Sequence, residues 1–148
     1  MNTMYSIITS QKKLAKPCEK VTDLINGEQI GNTLLAILEK HKSGVGLAAN
    51  QIGIGKRVCV VRVKHPIILV NPRIVGKFGK VLFKEGCLSF PGAYIITERY
   101  ADIAVEADNH SKIMYFSTKK NELECVCVQH EIDHLDGITM YQRQKKEK

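Results

Sequence analysis

The most informative stretch of this 148-residue chain is "NELECVCVQHEIDHLDG", residues 121–137. Five of its residues recur at the spacing of one helical stripe: Leu123, Val126, Cys127, His130 and His134. Asn121 is a suitable N-cap for such a helix, and Gly137 can supply the left-handed residue that ends it. We therefore predict one long helix near the carboxyl end, with its histidines facing inward.

The segment "HEIDH" within this helix has the spacing of a metal site. His130 and His134 are four residues apart, so both imidazoles lie on one face of a helix. Glu131 lies between them and is placed to act as a base. Catalytic metal sites usually take three protein ligands and leave one position open, so a third ligand has to come from elsewhere.

The third ligand is expected upstream of the helix. After His134 the only glutamate is Glu147, which belongs to a basic tail. The remaining histidines, which we expect to be solvated, are His41, His65 and His110. Two cysteines stay open as ligands: Cys127, one turn before His130, and Cys87 in the loop-like stretch "EGCLSFPG". A site drawn from one straight helix is geometrically poor, which favours a thiolate that approaches from another element.

The residue patterns in the rest of the chain predict one helix and several strands. The helix is "IGNTLLAILEKHKSG", with a start between residues 21 and 29. The predicted strands are "KRVCVVRV", "IILVNPRIV", "VLF", "DIAVEAD" and "KIMYFST", with turns at "GKFGK" and "DNHS". We expect the α+β class: mostly antiparallel sheets around a central C-terminal helix that carries HExxH, with one N-terminal helix. Residues 1–148 are expected to form a single domain, with 139–148 as a short, frayed basic tail.

Composition narrows the setting of the protein. The apolar fraction is 44%, and no apolar run approaches the ~20 residues of a membrane span. Five cysteines and no secretion pattern favour a reduced, cytoplasmic chain. The net charge of +7 is expected to reflect a solvated, basic surface. It could favour at most a weak, transient contact with the ribosome. We expect a monomer with no DNA or membrane partner.

Three segments resemble, in order, the motifs of the peptide deformylase family. They are "GVGLAANQ" at 44–51, "EGCLS" at 85–89 and "QHEIDH" at 129–134. The resemblance implies one divalent metal ion held by Cys87, His130 and His134. In this family the metal is typically Fe²⁺, replaceable by Zn²⁺, Ni²⁺ or Co²⁺, and the ligand set does not choose among them.

The resemblance also implies a reaction, the removal of the formyl group from the N-terminal formyl-methionine of new polypeptides with release of formate. Glu131 would be the general base and would pass the proton to the departing amine. The side-chain amide of Gln51 and the backbone N–H of Leu88 would hold the oxyanion. Glu85 is expected to pair with Arg99 and brace the cysteine loop.

The substrate has to be held beside the metal. An apolar slot for the methionine side chain is expected from Val45, Leu88, Val126 and Cys127. The peptide beyond it is expected to pair as a strand with backbone near Val45 and Gly46. Many bacterial relatives carry an arginine a few residues after the cysteine motif, where this chain has Tyr94.

Gln129 and Asp133 are plausible groups behind the metal ligands, although a solvated helix face suits Asp133 equally well. A non-catalytic site would need a fourth protein ligand, for which Cys125 or Cys127 is available. A peptidase that cuts ordinary peptide bonds is a further alternative. Gln51 and Glu131 argue against the first alternative, because a structural site needs neither.

Overall fold

A computed structural model describes residues 5–146, so Glu147 lies outside the described residues. The α-helices in this range are α1 (Gln11–Leu14), α2 (Leu24–Glu39) and α3 (Glu122–Leu135). The strands described there are β1 (Gly46–Ala48), β2 (Val58–Arg62), β3 (Pro66–Val70), β4 (Arg73–Glu85), β5 (Ile95–Glu106) and β6 (Met114–Ser117). Two 3₁₀ helices span Ala49–Ile52 and Met140–Arg143. The predicted α+β class is confirmed.

The first sheet has the order β1-β2-β3, with both pairings antiparallel. β2 is buried along most of its length because both of its faces are covered, which matches its unbroken apolar run. The predicted strand "IILVNPRIV" is divided in two at Asn71, whose φ of 51° is left-handed. Asn71 is buried there, and its side-chain amide bonds with both backbone groups of Val21.

The second sheet has the order β4-β5-β6, also antiparallel. The predicted turn at "GKFGK" is wrong, because β4 runs through it from Arg73 to Glu85. Gly79 with φ of 67° and a register shift near Gly76 adapt the strand, so the glycines mark irregularities and not a reversal. The hairpin predicted at "DNHS" is confirmed as the connection from β5 to β6.

Helix α3 runs through the centre of the molecule. Every residue from Cys125 to Leu135 is buried, as expected for a helix covered on all sides. The Asn121 side chain accepts a hydrogen bond from the backbone N–H of Glu124 at 3.0 Å, which confirms the predicted cap. Gly137 follows the helix with φ of 76°, as predicted.

The N-terminal helix predicted from "IGNTLLAILEKHKSG" is α2, which begins after Asp23 and packs on the first sheet. The short helix α1 was not predicted, since four residues are too few to show a period. The carboxyl tail, predicted to be frayed, is packed as far as Lys145: Met140 is buried, and the N–H of Lys145 donates to the carbonyl of Ile96 at 2.8 Å. No helix in residues 5–146 is long and apolar enough to cross a membrane.

Candidate active site

A cavity of about 700 Å³ lies between the two sheets and α3. Ten of the residues singled out from the sequence line it: Val45, Gly46, Gln51, Cys87, Leu88, Tyr94, Val126, Cys127, His130 and Glu131. His134 lies behind the wall and is fully buried. The three sequence motifs, far apart along the chain, therefore meet in one place.

Cys87, His130 and His134 form a compact group of potential metal ligands. Their ligand atoms all lie within 4.8 Å of one another. The Nε2 atom of His134 is 3.2 Å from Nε2 of His130 and 3.4 Å from Sγ of Cys87. Unshared electron pairs this close repel unless a proton or a cation lies among them, so the geometry fits a bound metal ion. Thiolate and imidazole suit several first-row ions.

One helix and one loop carry these ligands, and their packing explains the approach. α3 presents both imidazoles, and Cys87 comes from residues 86–94, the loop between β4 and β5. That loop starts at a defined point, because Glu85 and Ile95 are the last paired residues of the two strands. Burial lowers the pKa of His134 well below its ordinary value, which leaves the neutral imidazole that metals bind.

His130 is held by a buried carboxylate on β4. Its Nδ1 atom lies 2.5 Å from Oε1 of Glu85. Burial lowers the pKa of His130, but the charge of Glu131 and the bonds with Cys87 and Glu85 outweigh it and raise the pKa. Metal binding at this imidazole would therefore release a proton. A carboxylate on the far nitrogen is the usual partner of a metal-ligating histidine.

Glu131 faces the cavity from the same helix. Its Oε1 atom is buried and has no hydrogen-bond partner among residues 5–146. Burial raises the pKa of Glu131 to about 7, because the ionised carboxylate loses its hydration, and the charge of His130 offsets this only in part. A carboxyl group with a pKa near neutrality is well matched to proton transfer at physiological pH.

Gln51 is oriented from the short 3₁₀ helix after β1. Its Oε1 accepts the N–H of Ala48 at 2.9 Å, so its Nε2 is turned toward the cysteine loop. There Nε2 donates to Oγ of Ser89 at 3.0 Å and lies 3.7 Å from Sγ of Cys87. Sequence reasoning missed Ser89, although it lies in the same "EGCLS" motif.

Arg99 ties the cysteine loop to α3. It donates from Nε to Oε2 of Glu85 at 3.0 Å, which confirms the expected pair, and from NH1 to Oδ2 of Asp133 at 2.5 Å. Burial alone would raise the pKa of Glu85, but its bonds with His130 and Arg99 lower it to about 2. Asp133 is buried, so the solvated-face alternative is wrong for it.

The expected role of Gln129 behind the metal ligands is wrong. Its side chain accepts from the N–H of Tyr100 at 2.9 Å and donates to the Tyr100 carbonyl at 3.0 Å. The amide thus forms the two hydrogen bonds with β5 that a neighbouring strand would form. It lies on the side of α3 that faces away from Cys87, His130 and His134. A glutamine amide could serve in either place, and only the direction of the side chain on the helix distinguishes the two roles.

The histidines outside α3 do not join the cluster. His65 is exposed, and His41 lies at the rim of the cavity. His110, expected to be solvated, is half-buried and bonds through Nε2 to the carbonyl of Ile68 at 2.8 Å.

The fourth ligand required by a closed structural site is not present among residues 5–146, where the ligand group contains three residues. Burial raises the pKa of the Cys127 thiol well above its ordinary value, and Glu131 adds to this. The Cys125 thiol points to the carbonyl of Ala101 on β5 instead. Three potential ligands beside a carboxylate oxygen that has no hydrogen-bond partner among residues 5–146 are typical of a mononuclear metallohydrolase, the class of protein to which this fold and cavity correspond.

Comparison with known proteins assigns the chain to a family. The profile of the polypeptide deformylase family matches residues 4–148, so the chain belongs to this family. A peptide deformylase of Hydrogenovibrio crunogenus is 38% identical over 131 residues, which are 85% of this chain and 75% of that protein. Peptide deformylase 1 of Vibrio vulnificus is 37% identical over 142 residues, 93% of this chain and 83% of that protein.

Solved structures agree with the family assignment. A crystal structure of a peptide deformylase from Legionella pneumophila has a TM-score of 0.85 at 30% identity, over 97% of this chain and 87% of that chain. A probable peptide deformylase from Synechococcus phage S-SSM7 has a TM-score of 0.83 at 33% identity, over 95% and 99%. The predicted function is confirmed at the family level: these are metallohydrolases that remove the N-formyl group from nascent polypeptides.

Proposed function

We propose that this chain hydrolyses the formyl amide of N-terminal formyl-methionine with one divalent ion held by Cys87, His130 and His134. The observation that carries the proposal is the approach of these three side chains, whose ligand atoms lie within 4.8 Å of one another, beside a buried carboxylate oxygen that has no partner in the described part of the chain. When bound, the ion supplies the Lewis acidity that makes water a nucleophile at neutral pH. Fe²⁺ is the proposed native ion, with Zn²⁺, Ni²⁺ or Co²⁺ as substitutes.

Glu131 is the proposed general base. It takes a proton from the attacking water and returns it to the departing amine. A base must be ionised before it can accept a proton, and a pKa near 7 makes this possible while keeping the conjugate acid strong enough to donate. Oε1 has no hydrogen-bond partner among residues 5–146 and can therefore accept from water, whereas Oε2 lies 3.8 Å from the Cys127 thiol.

Gln51 and the backbone N–H of Leu88 are proposed to stabilise the oxyanion. The amide of Gln51 is held on both sides, by the Ala48 N–H and by Ser89, and therefore does not need to reorganise during the reaction. Leu88 follows Cys87 directly, so its N–H comes from the same loop as the proposed thiolate ligand.

Substrate binding is proposed to use the cavity wall and the edge of the first sheet. Leu88, Val126, Cys127 and Val45 line the cavity and offer an apolar slot to the methionine side chain. β1 is one of the two edge strands of the first sheet, so an extended peptide can add to it near Val45 and Gly46. Tyr94 lies at the rim, 65% exposed, where it can contact the peptide beyond methionine.

The proposal is tested by formate release from a formyl-methionyl peptide, with protein purified without oxygen. We expect Glu131→Gln to retain its metal and to lose at least ~10²-fold in kcat, since a positioned base contributes about that much. Glu122→Gln, on the exposed first turn of the same helix, is the matched control and should be fully active. A fully active Glu131→Gln enzyme would exclude Glu131 as the base.

Three expectations from the sequence stay predictions: the single domain over 1–148, the monomeric state, and the cytoplasmic location with a weak ribosome contact. Sedimentation equilibrium at several protein concentrations tests the monomeric state. The apparent molecular mass should be that of one chain and should not change with concentration.

A further inference from the structure

We propose that Arg143 is a positioning residue for His130. Arg143 lies in the 3₁₀ helix Met140–Arg143, does not line the cavity, and acts through a series of ionic contacts. The inference rests on the proposed function, because it takes His130 to be a metal ligand. It assigns a catalytic consequence to the segment that sequence patterns presented as a tail.

The series begins at Asp133 on α3. Arg143 donates from Nε to Oδ2 of Asp133 at 3.0 Å and from NH2 to Oδ1 at 2.9 Å. Two parallel bonds of this kind fix the orientation of both planar groups. The Asp133 side chain is 11% exposed and that of Arg143 is 42% exposed, so the pair reaches from the surface into the interior.

The series continues through Arg99 to the imidazole. Oδ2 of Asp133 also accepts from NH1 of Arg99, whose Nε and NH2 atoms donate to the two carboxylate oxygens of Glu85. Oε1 of Glu85 is the same oxygen that lies against Nδ1 of His130. Oε2 of Glu85 also accepts from Oγ1 of Thr97 at 2.5 Å, so Arg99 is one of two side chains that hold this carboxylate against His130. The orientation of His130 thus depends in part on where Arg99 is held.

The charges of the buried carboxylates and guanidiniums explain why Arg143 affects the position of Glu85. Glu85 and Asp133 are two buried carboxylates that share a single buried guanidinium, that of Arg99, which is 3% exposed. Arg143 supplies the second positive charge and makes the group neutral. Without it, Asp133 would compete with Glu85 for Arg99, since water has little access to either carboxylate.

Loss of Arg143 should therefore loosen Glu85 and reorient His130. Removal of a group that directly touches a metal-ligating histidine typically costs 10–100-fold in metal affinity. Arg143 lies three groups beyond Glu85 in this series, with Arg99 and Asp133 between them, and we expect a smaller loss, about 3–10-fold, for Co²⁺. The visible absorption of bound Co²⁺ reports the arrangement of its ligands and should change as well.

The test measures Co²⁺ dissociation constants and Co²⁺ absorption spectra for Arg143→Ala and for a matched control, Lys145→Ala. Lys145 belongs to the same segment, but its Nζ pairs at 3.2 Å with the partly exposed Glu98, and its backbone bond to Ile96 survives the substitution. Weaker binding and an altered spectrum in Arg143→Ala alone are expected. Wild-type affinity and spectrum in Arg143→Ala, or equal effects in both variants, would overturn the inference.

A second pair of variants separates positioning from simple docking of the segment. Arg143→Lys keeps the charge but not the two parallel bonds, and should recover part of the affinity. Arg143→Ala added to Asp133→Asn should cause no further loss of affinity, because the route through Asp133 is already broken. A full additional loss would mean that Arg143 acts by another route.

Failure of the inference is distinguishable from failure of the proposed function. Wild-type protein that binds no Co²⁺ and releases no formate would contradict the metal site itself. Wild-type protein that does both, beside an Arg143→Ala variant with unchanged Co²⁺ binding and spectrum, would contradict only the role of Arg143.

Discussion

At the scale of single residues, the site depends on a glycine that has no chemical role. A Cβ atom placed on Gly46 would lie 2.5 Å from Oε2 of Glu131 and 2.6 Å from Sγ of Cys127. Both distances are shorter than any ordinary contact with a Cβ atom. β1 thus approaches α3 so closely that only the absence of a side chain leaves the base in place.

We predict that Gly46→Ala lowers kcat/KM by about 10²-fold, because displacement of a reacting group by roughly 1 Å has effects of that size. Formate release measures it. Gly55→Ala is the control, since a Cβ atom there meets nothing within 4 Å. Equal activity of the two variants would show that Glu131 keeps its position after the substitution.

The choice between the two candidate thiols is also made at this scale. Cys87 lies 3.4 Å from Nε2 of His134, whereas the Cys127 thiol lies 3.8 Å from Oε2 of Glu131. We predict that Cys87→Ser weakens metal binding by at least about 10²-fold, more than loss of an outer partner would. Cys127→Ser should retain its metal. Competition with a chromophoric chelator measures both, and the reverse order would make Cys127 the ligand.

At the scale of elements, the packing of α3 is set at its two ends. Asn121 caps the first turn, and the carbonyl of His134 near the other end accepts from Nδ2 of Asn50 at 2.7 Å. Arg57 donates to the carbonyl of Leu135 and pairs with Asp136 at 2.7 Å, so the negative end of the helix faces a cation. These contacts bring the 3₁₀ helix that carries Gln51 against the helix that carries the histidines.

Gly137 joins the end of α3 to α1. Its φ is 76°, and a Cβ atom there would lie 2.4 Å from the carbonyl oxygen of Ala15. We predict that Gly137→Ala destabilises the protein by about 2–4 kcal/mol in urea denaturation, from backbone strain and the clash together.

Gly53→Ala provides the matched control for this prediction. Gly53 has a similar φ of 85°, but the nearest atom to its added Cβ would be at 3.8 Å, an ordinary contact. Gly53→Ala should lower the free energy of unfolding by only about 1 kcal/mol, because alanine adopts the left-handed conformation less readily than glycine. An equal loss in both variants would mean that α1 moves aside without cost.

At the scale of the whole molecule, the proposed metal connects the central helix with the second sheet. Its ligands come from α3 and from the loop of the second sheet, while Gln51 follows the first sheet. An ion that binds only the folded arrangement stabilises it by mass action, by about 2.7 kcal/mol at a concentration 100 times Kd.

We predict that chelation of the metal lowers Tm by about 5–10 °C, since 1 kcal/mol corresponds to roughly 2–4 °C for a chain of this size. Calorimetry with and without a chelator measures the shift. Addition of Co²⁺ should restore Tm in the wild type but not in Cys87→Ser. An unchanged Tm on chelation, with the metal shown to be removed, would contradict the proposed coupling.

The features that depend on residues close together along the chain could be predicted from the sequence alone. The four-residue spacing of His130 and His134 places both on one helical face, and the caps at Asn121 and Gly137 bound that helix, because these properties arise within a few residues. Glycine was less informative: "GKFGK" has the composition of a turn, and only its pairing with β5 makes it a strand.

Which distant groups contact one another follows from the tertiary structure. The approach of Cys87 to His134, the contact of Glu85 with His130, the close approach of Gly46 to Glu131, and the link from Arg143 to Asp133 all join residues from separate elements. Periodicity specifies the face on which a side chain lies but not what packs against that face. That outcome depends on how the two sheets close around α3, which is a property of the entire chain.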